Sequence, residues 1–545
     1  MTRIGRLFAA LLVFLFSGSV FPCTNILVTK GASADGSTMI TYAADSHTLY
    51  GECVLIPAAE YAPGIWVDVH EWDTGKYLGR IRQAEKTYAV VGNMNEHQVS
   101  IGETTWGGRE ELTDDSTGVL DYGTLMFTAL QRSRTAREAI QVMTSLVREY
   151  GYYSSGESFS IADPNEVWIM DMIGKGRGSR GAVWAARLVP DGMICAHANH
   201  PRIRQIPMND KANCLHSPDV VSFAREKGYF KGTDAEFSFA DAYGPADFGA
   251  LRFCEARVWS VFRNAAPSLN LSADAVRPAP DAKPLPLWIK PDRKLTVRDV
   301  MGLMRDHFEN SEFDMTNDIG AGPYKCPYRW RPMTWKSDGQ DYLFERAIST
   351  QQTGFSFVSQ MRSWLPDPVG GVFWFGVDDT YSTVYVPLYC GIDRVPAPFA
   401  PGSGSFDRFS WDSAFWVFNW VSNTAYSRYC DMIVDIQQVQ RELEGGYFAD
   451  QRGVDAAAMI LYKQSPRLAR DYLTAYSAAA GGNAFVRWKK LGEFLLWKYL
   501  DGNVKNEFGR PRHPGYPADW YKAVAEDTGD RMKVTPFPPA PVSAP

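Results

Sequence analysis

The stretch CTNILVTKGASADGSTMI, residues 23–40, decides how the chain is read. Two β-prone runs, residues 25–29 and 37–42, flank Asp35-Gly36, a pair whose tolerance of left-handed backbone favours a tight hairpin. Upstream, Arg3 and Arg6 precede a short apolar run at residues 7–16, and Ser17, Gly18 and Ser19 follow it. That order of charge, apolar core and small residues is the pattern of a secretory signal peptide over residues 1–22. The cut falls either directly before Cys23 or before Val20, in which case residues 20–22 form a short propeptide removed later. Pro22 fits poorly before a lipidated cysteine, which wants a small residue there. No run is long enough to cross a bilayer. The expectation is an exported protein with no stable membrane insertion once the leader is gone, and with Cys23 as its first residue.

Outward from the hairpin, short β-prone runs recur at residues 87–91 and 99–102. Helical periodicity follows at 123–131 and 135–150, where Ala139, Ile140, Met143 and Leu146 share one face. Strand patterns return at 158–162, 167–172, 182–188 and 193–198, and again at 355–360, 371–377 and 383–388. Residues 410–500 read as mostly helical, 278–286 as a Pro-rich connection and 531–545 as a Pro-rich tail. Strand pairs, a helix pair and further strand pairs indicate an α+β body of sheets covered by helices. Because strands lie on both sides of the middle region, residues 23–530 are expected to form one interleaved body with a helical C-terminal portion.

The formal net charge is −6 and no basic stripe is present, so nucleic acid is excluded as a partner. The eight cysteines are widely spaced, without the pairing of a structural zinc site. An oxidising compartment permits disulfides. His197 and His200 lie three apart but lack a third ligand. The run Gly402-Ser403-Gly404-Ser405 lacks the spacing of a nucleophile elbow. Neither a metal nor an organic cofactor is implied. A cysteine at a chain start offers more: its thiolate is a strong nucleophile, and its own α-amine, titrating near ~7.7–8.0, is a base on the same residue.

Beyond residues 23–40, the segments NEHQVSIGETT (95–105), IADPNEVWIMDMIG (161–174), ICAHANHPRI (194–203), ERAISTQQTGFSFVSQMRSWLPDPVGGVFWFG (345–376) and YVPLY (385–389) follow in order. The set resembles the dipeptidase family that includes bacterial dipeptidase A and the secernins, which are N-terminal nucleophile hydrolases. The resemblance implies a four-layer αββα fold and cleavage of dipeptides or very short peptides. It makes Cys23 the nucleophile and its α-amine the base. It places Asp45 where a carboxylate steadies the protonated amine, and Asn95 where a side-chain amide supports the oxyanion. Asn199 is the second amide candidate. Glu103 is either a receptor for the substrate ammonium or a carboxylate that stabilises a turn.

One position departs from the family pattern. Where relatives carry Arg three residues before the acidic position, ITYAAD has Tyr42. A guanidinium would favour the thiolate, whereas a phenol near the substrate site offers only a hydrogen bond. Either another Arg supplies the charge, or the thiol titrates high. Two further readings stand beside the dipeptidase: an N-acyl amide hydrolase with the same machinery, and a secreted binding protein that has lost catalysis. Side-chain preference and oligomeric state are not encoded in any of these features.

Overall fold

The computed structural model describes residues 23–113, 117–277 and 283–536. The expected leader, much of the Pro-rich connection and the last nine residues of the tail lie outside them. The fold is mixed α and β, with two large antiparallel sheets at its centre.

The hairpin forms as its sequence suggests. Strand Asn25–Val28 pairs with Thr38–Asp45, with Leu27 opposite Ile40 and Val28 opposite Met39. In the turn, Asp35 Oδ1 accepts from the Ser33 and Ser37 hydroxyls at 2.7 and 2.6 Å and from the Ser37 amide at 3.0 Å. Gly36 takes the left-handed φ of 81° that the turn requires. The hairpin sits at the centre of a seven-stranded sheet. On one side lie Ile194–His197 and then Trp288–Ile289; on the other lie Thr353–Met361, Val372–Val377 and Val386–Tyr389. Strands more than 300 residues apart in the chain, Thr38–Asp45 and Thr353–Met361, are therefore neighbours in one sheet.

The second sheet has eight strands in the order Cys214–His216, Ala182–Leu188, Val167–Gly174, Gly156–Ala162, Ser100–Trp106, Met94–Asn95, Val90–Val91 and Leu55–Ile56. The two sheets meet across a polar seam. The Asn25 amide meets Ser160 Oγ at 3.1 Å, and Ser100 Oγ meets Ser359 Oγ at 2.7 Å. His197 of the first sheet is gripped by Thr104 at 2.7 Å and Ser160 at 2.8 Å, both from the second. A buried polar group is costly unless paired, so these pairs fix how the sheets face each other.

Helices Tyr122–Leu130 and Ala136–Tyr150 cover the outer face of the second sheet, where Leu125, Ile140 and Met143 pack with Ile101, Phe159 and Met170. Asp121 and Thr135 cap them by accepting from backbone amides three residues on. Ala256–Ala265, Val297–Met304 and the long C-terminal helices Tyr429–Gln464 and Pro466–Lys498 pack with the first sheet. Trp374 of that sheet lies 4.9 Å from Phe448 of the first long helix, ring centre to ring centre. None of the eight cysteines is paired. Among the described residues no helix is long and apolar enough to cross a membrane.

Asp35→Ala removes the acceptor shared by the turn and should cost about 1–3 kcal/mol in urea unfolding. Hydrogen bonds from Ser37, Ser33 and Gln360 outweigh the effect of burial and hold this carboxyl below its ordinary value. Its contribution is therefore present above the unfolded-chain pKa and lost as pH falls through the folded value. The variant should differ most from the parent near neutrality and least in acid.

Candidate active site

Cys23 lies just before the first strand, where Thr24 bridges Ala43. It is 3% exposed and lines a cleft of about 750 Å³ with Tyr42, Asp45, Asn93 and Glu103. Trp72, Asp73, Tyr122, Phe127, Leu49 and Phe355 also line it. The structure thus brings four expected residues, Cys23, Tyr42, Asp45 and Glu103, to one place.

The sulfur is 3.9 Å from both the Tyr42 hydroxyl and Glu103 Oε1, and Tyr42 donates a short hydrogen bond to Glu103. Burial pushes the thiol well above its ordinary value, aided by the Glu103 and Asp45 carboxylates. The Asp45 backbone amide and the Tyr42 hydroxyl oppose this only in part. Of the two outcomes that Tyr42 leaves open, a raised thiol is the one that burial and the two carboxylates favour. Glu103 is itself pushed up by burial and lies against Glu157, a second buried carboxyl. It is no turn carboxylate, since it sits within strand Ser100–Trp106 and faces the sulfur.

Asp45 ends the second hairpin strand beside a register shift in the opposing strand between Thr353 and Phe355. Such a bulge re-aims the adjoining side chains. Asp45 Oδ1 accepts from Thr353 Oγ1 at 2.7 Å. Burial raises its pKa to about 7, against the Thr353 hydrogen bond and the positive charges of Arg346 and Arg257.

The two amides are placed differently from expectation. Asn95 spends both side-chain N–H bonds on the carbonyls of Leu130 and Ser133, at 2.7 and 2.8 Å, while its oxygen accepts from the His97 and Val99 amides. Its side chain ties a turn to a helix end and is not among the groups lining the cleft. Asn93, two residues earlier, does line it. Gly92-Asn93 forms the two-residue turn between Val90–Val91 and Met94–Asn95, with Gly92 at φ 54°. A Cβ on Gly92 would come within 2.3 Å of Phe373, so the turn is pressed against the first sheet. Asn93 Nδ2 donates to Ile101 O at 2.9 Å. Asn199, at φ 57°, turns its oxygen toward Cys23: Oδ1 accepts from the Cys23 nitrogen at 2.8 Å, and Nδ2 donates to Thr105 O at 2.6 Å. In this arrangement it positions the Cys23 nitrogen.

Arg257 was not identified from the sequence. It enters from helix Ala256–Ala265, directly after the π-helical turn Ala250–Glu255. Its Nη1 donates to Cys23 O at 2.5 Å and Thr24 Oγ1 at 2.7 Å, while Nη2 donates to Asn199 Oδ1 at 2.8 Å. The guanidinium therefore holds the cysteine through its carbonyl and through Asn199. Nothing local marks it, because its partners lie 234 and 58 positions away.

The histidine pair has a structural explanation. Both ring nitrogens of His197 meet hydroxyl groups, and burial together with Arg202 and Arg257 lowers its pKa to about 3. His200 faces Glu255 at 3.4 Å. Ser403 and Ser405 lie in a surface turn region, with Ser403 in a hydrogen bond to Tyr50.

With this geometry in place, comparison with known proteins gives a consistent result. A probable dipeptidase of Salmonella dublin is 26% identical over 392 residues, covering 69% of this chain and 82% of that protein. A probable dipeptidase of Latilactobacillus sakei is 25% identical, covering 67% and 74%. A dipeptidase of Bifidobacterium longum is 23% identical, covering 69% and 72%. Residues 51–442 match the pattern of Peptidase family C69, which is most of the chain. The chain belongs to peptidase family C69.

Proposed function

We propose that this protein is an exported cysteine-type dipeptidase with the N-terminal nucleophile hydrolase fold and Cys23 as its mature first residue. The observation that carries the reading is the setting of Cys23: its nitrogen is held by Asn199, its carbonyl by Arg257, and its sulfur faces the cleft. Helices outside two face-to-face antiparallel sheets support the fold assignment.

After leader removal, the α-amine takes the position of the Cys23 nitrogen beside Asn199. In its neutral form it accepts the thiol proton, which the raised thiol pKa makes necessary. The sulfur attacks the scissile carbonyl, and the α-ammonium then donates a proton to the leaving amine. The products of this half-reaction are a thioester on Cys23 and a free amino acid. Water, deprotonated by the same α-amine, hydrolyses the thioester. Asp45, in its ionised form, steadies the ammonium. Asn93, rather than Asn95, supplies the side-chain donor to the oxyanion, and one such donor is worth about 2.7–4 kcal/mol.

The Glu103 and Asp73 side of the cleft receives the substrate's own ammonium, with Tyr42 orienting Glu103. This acidic lining favours a peptide with a free N-terminus over an N-acyl amide, which has no charge to offer there. Trp72, Phe127 and Phe355 give the adjoining side chain an apolar surface.

Cys23→Ala should abolish dipeptide turnover, and a thiol-directed probe should label the parent protein at Cys23; unchanged turnover in the variant would refute the assignment. Mass spectrometry of active protein should find Cys23 first, with Val20 or a lipid there ruling out the α-amine as base. Asn93→Ala should lower kcat about 10²–10³-fold, whereas Asn95→Ala should act mainly on stability. Thr353→Val removes a hydrogen bond that favours ionised Asp45, so the acid limb of kcat/KM should move to higher pH.

A further inference from the structure

Arg346 is 8% exposed, and its Nε and Nη2 are buried without hydrogen-bond partners. Among the described residues no carboxylate lies within ion-pair distance of it. Burial and the guanidinium groups of Arg257 and Arg331 lower its pKa to about 9, opposed by Cys254 and the Asp45 carboxylate. A buried guanidinium with unfilled donors is costly, and none of the described residues fills them, so the site suits an anionic ligand.

Arg346 lines a second cleft, of about 360 Å³, together with Gln352, Arg331, Tyr328, Ser349 and Glu345. Gln352 repeats the pattern of Arg346: its oxygen accepts from Arg331 Nη2 at 2.7 Å, but its Nε2 is buried and unpartnered. The one carboxylate in the wall, Glu345, is ion-paired with Arg252 through Oε1, and its Oε2 is buried without a hydrogen-bond partner. Unsatisfied donors on a planar guanidinium and an adjacent amide suit a carboxylate, which accepts through two oxygens.

This second cleft borders the first. The Ser46 amide, next to Asp45, donates to Gln352 O at 2.9 Å, and Thr353 holds Asp45 itself. Asp45 and Ser46 thus form part of the first cleft's wall, and Gln352 part of the second's. An extended dipeptide is only about 7 Å long, so its two charged ends must be received close to the scissile bond.

We infer that Arg346 and Gln352 receive the C-terminal carboxylate of the substrate, so that a free carboxylate on the leaving residue selects dipeptides over longer or amidated peptides. The inference rests on the reading of Cys23 as a dipeptidase nucleophile and adds the determinant of substrate length. Arg331, exposed at the rim and bonded to Gln352, orients that amide.

The test uses the mature enzyme with a dipeptide, the same dipeptide as its C-terminal amide, and the tripeptide extended by one residue. The parent should prefer the free dipeptide by about 10²-fold or more in kcat/KM, as expected when a polar site meets an analogue lacking its partner. Arg346→Met should narrow that ratio below about tenfold, chiefly through KM for the dipeptide. Gln352→Leu should narrow it in the same direction and serves if Arg346→Met does not fold. Equal turnover of dipeptide and amide by the parent, or an unchanged ratio in both folded variants, would overturn the carboxylate site and leave the dipeptidase reading standing. No turnover of any of the three by thiol-reactive parent enzyme would instead remove the dipeptidase reading and this inference with it.

Discussion

The geometry of the site depends on one buried guanidinium. Arg257 donates to the carbonyls of Cys23, Ala198 and Phe253, to the Thr24 hydroxyl and to Asn199 Oδ1. In doing so it ties a helix, the start of the central hairpin and the Asn199 turn into a single unit. A planar group with five fixed donors meets that demand, and an ammonium on a flexible stem would not. The arrangement also separates two tasks that one Arg beside the sulfur would have combined. Arg257 fixes position, while burial and the nearby carboxylates raise the thiol above its ordinary value.

Charge is distributed unevenly about Asp45. Near the sulfur, Asp73 acts on Glu103 and both act on Glu157, while Arg257 and Arg331 act on Arg346. Burial pushes the carboxyls up and Arg346 down, and like charges within each set add to it. Strain of this kind is retained in folds where a ligand of matching polarity completes the site. The Asp45 pKa is raised by burial and by the Asp379 carboxylate, against the Thr353 hydrogen bond and the charges of Arg346 and Arg257.

Much of the fold was legible because it is local. Asp35-Gly36 announced the hairpin, and Ala139, Ile140, Met143 and Leu146 announced a helix that does bury that face. The strands at residues 158–198 and 355–388 are found, 182–188 with its exact ends and the others with ends shifted by at most three positions. In the site, Cys23, Tyr42, Asp45 and Glu103 came together as expected because hairpin and strand periodicity carry them. The amides did not, since whether Asn93 or Asn95 lines the cleft depends on a two-residue turn pressed against Phe373. The Gly92-Asn93 pair between two Val and a Met was the available signal. Arg257 and Arg346 carry no local signature, because the partners that define them are far away in the chain.

The central hairpin also limits how the sequence can vary in length. Its strands pair with Leu27 opposite Ile40 and Thr24 opposite Ala43, so the span from Lys30 to Ser37 sets their register. Side chains alternate between faces: Thr41 contacts Met304 under the outer helix, whereas Tyr42 reaches Glu103 across the seam. Gaining or losing one residue in the turn would exchange those faces along the whole strand, sending the phenol outward and the threonine into the cleft. A change of two residues would preserve them. Length differences among functional relatives should therefore occur here in even steps, with the turn acting as a covalent ruler.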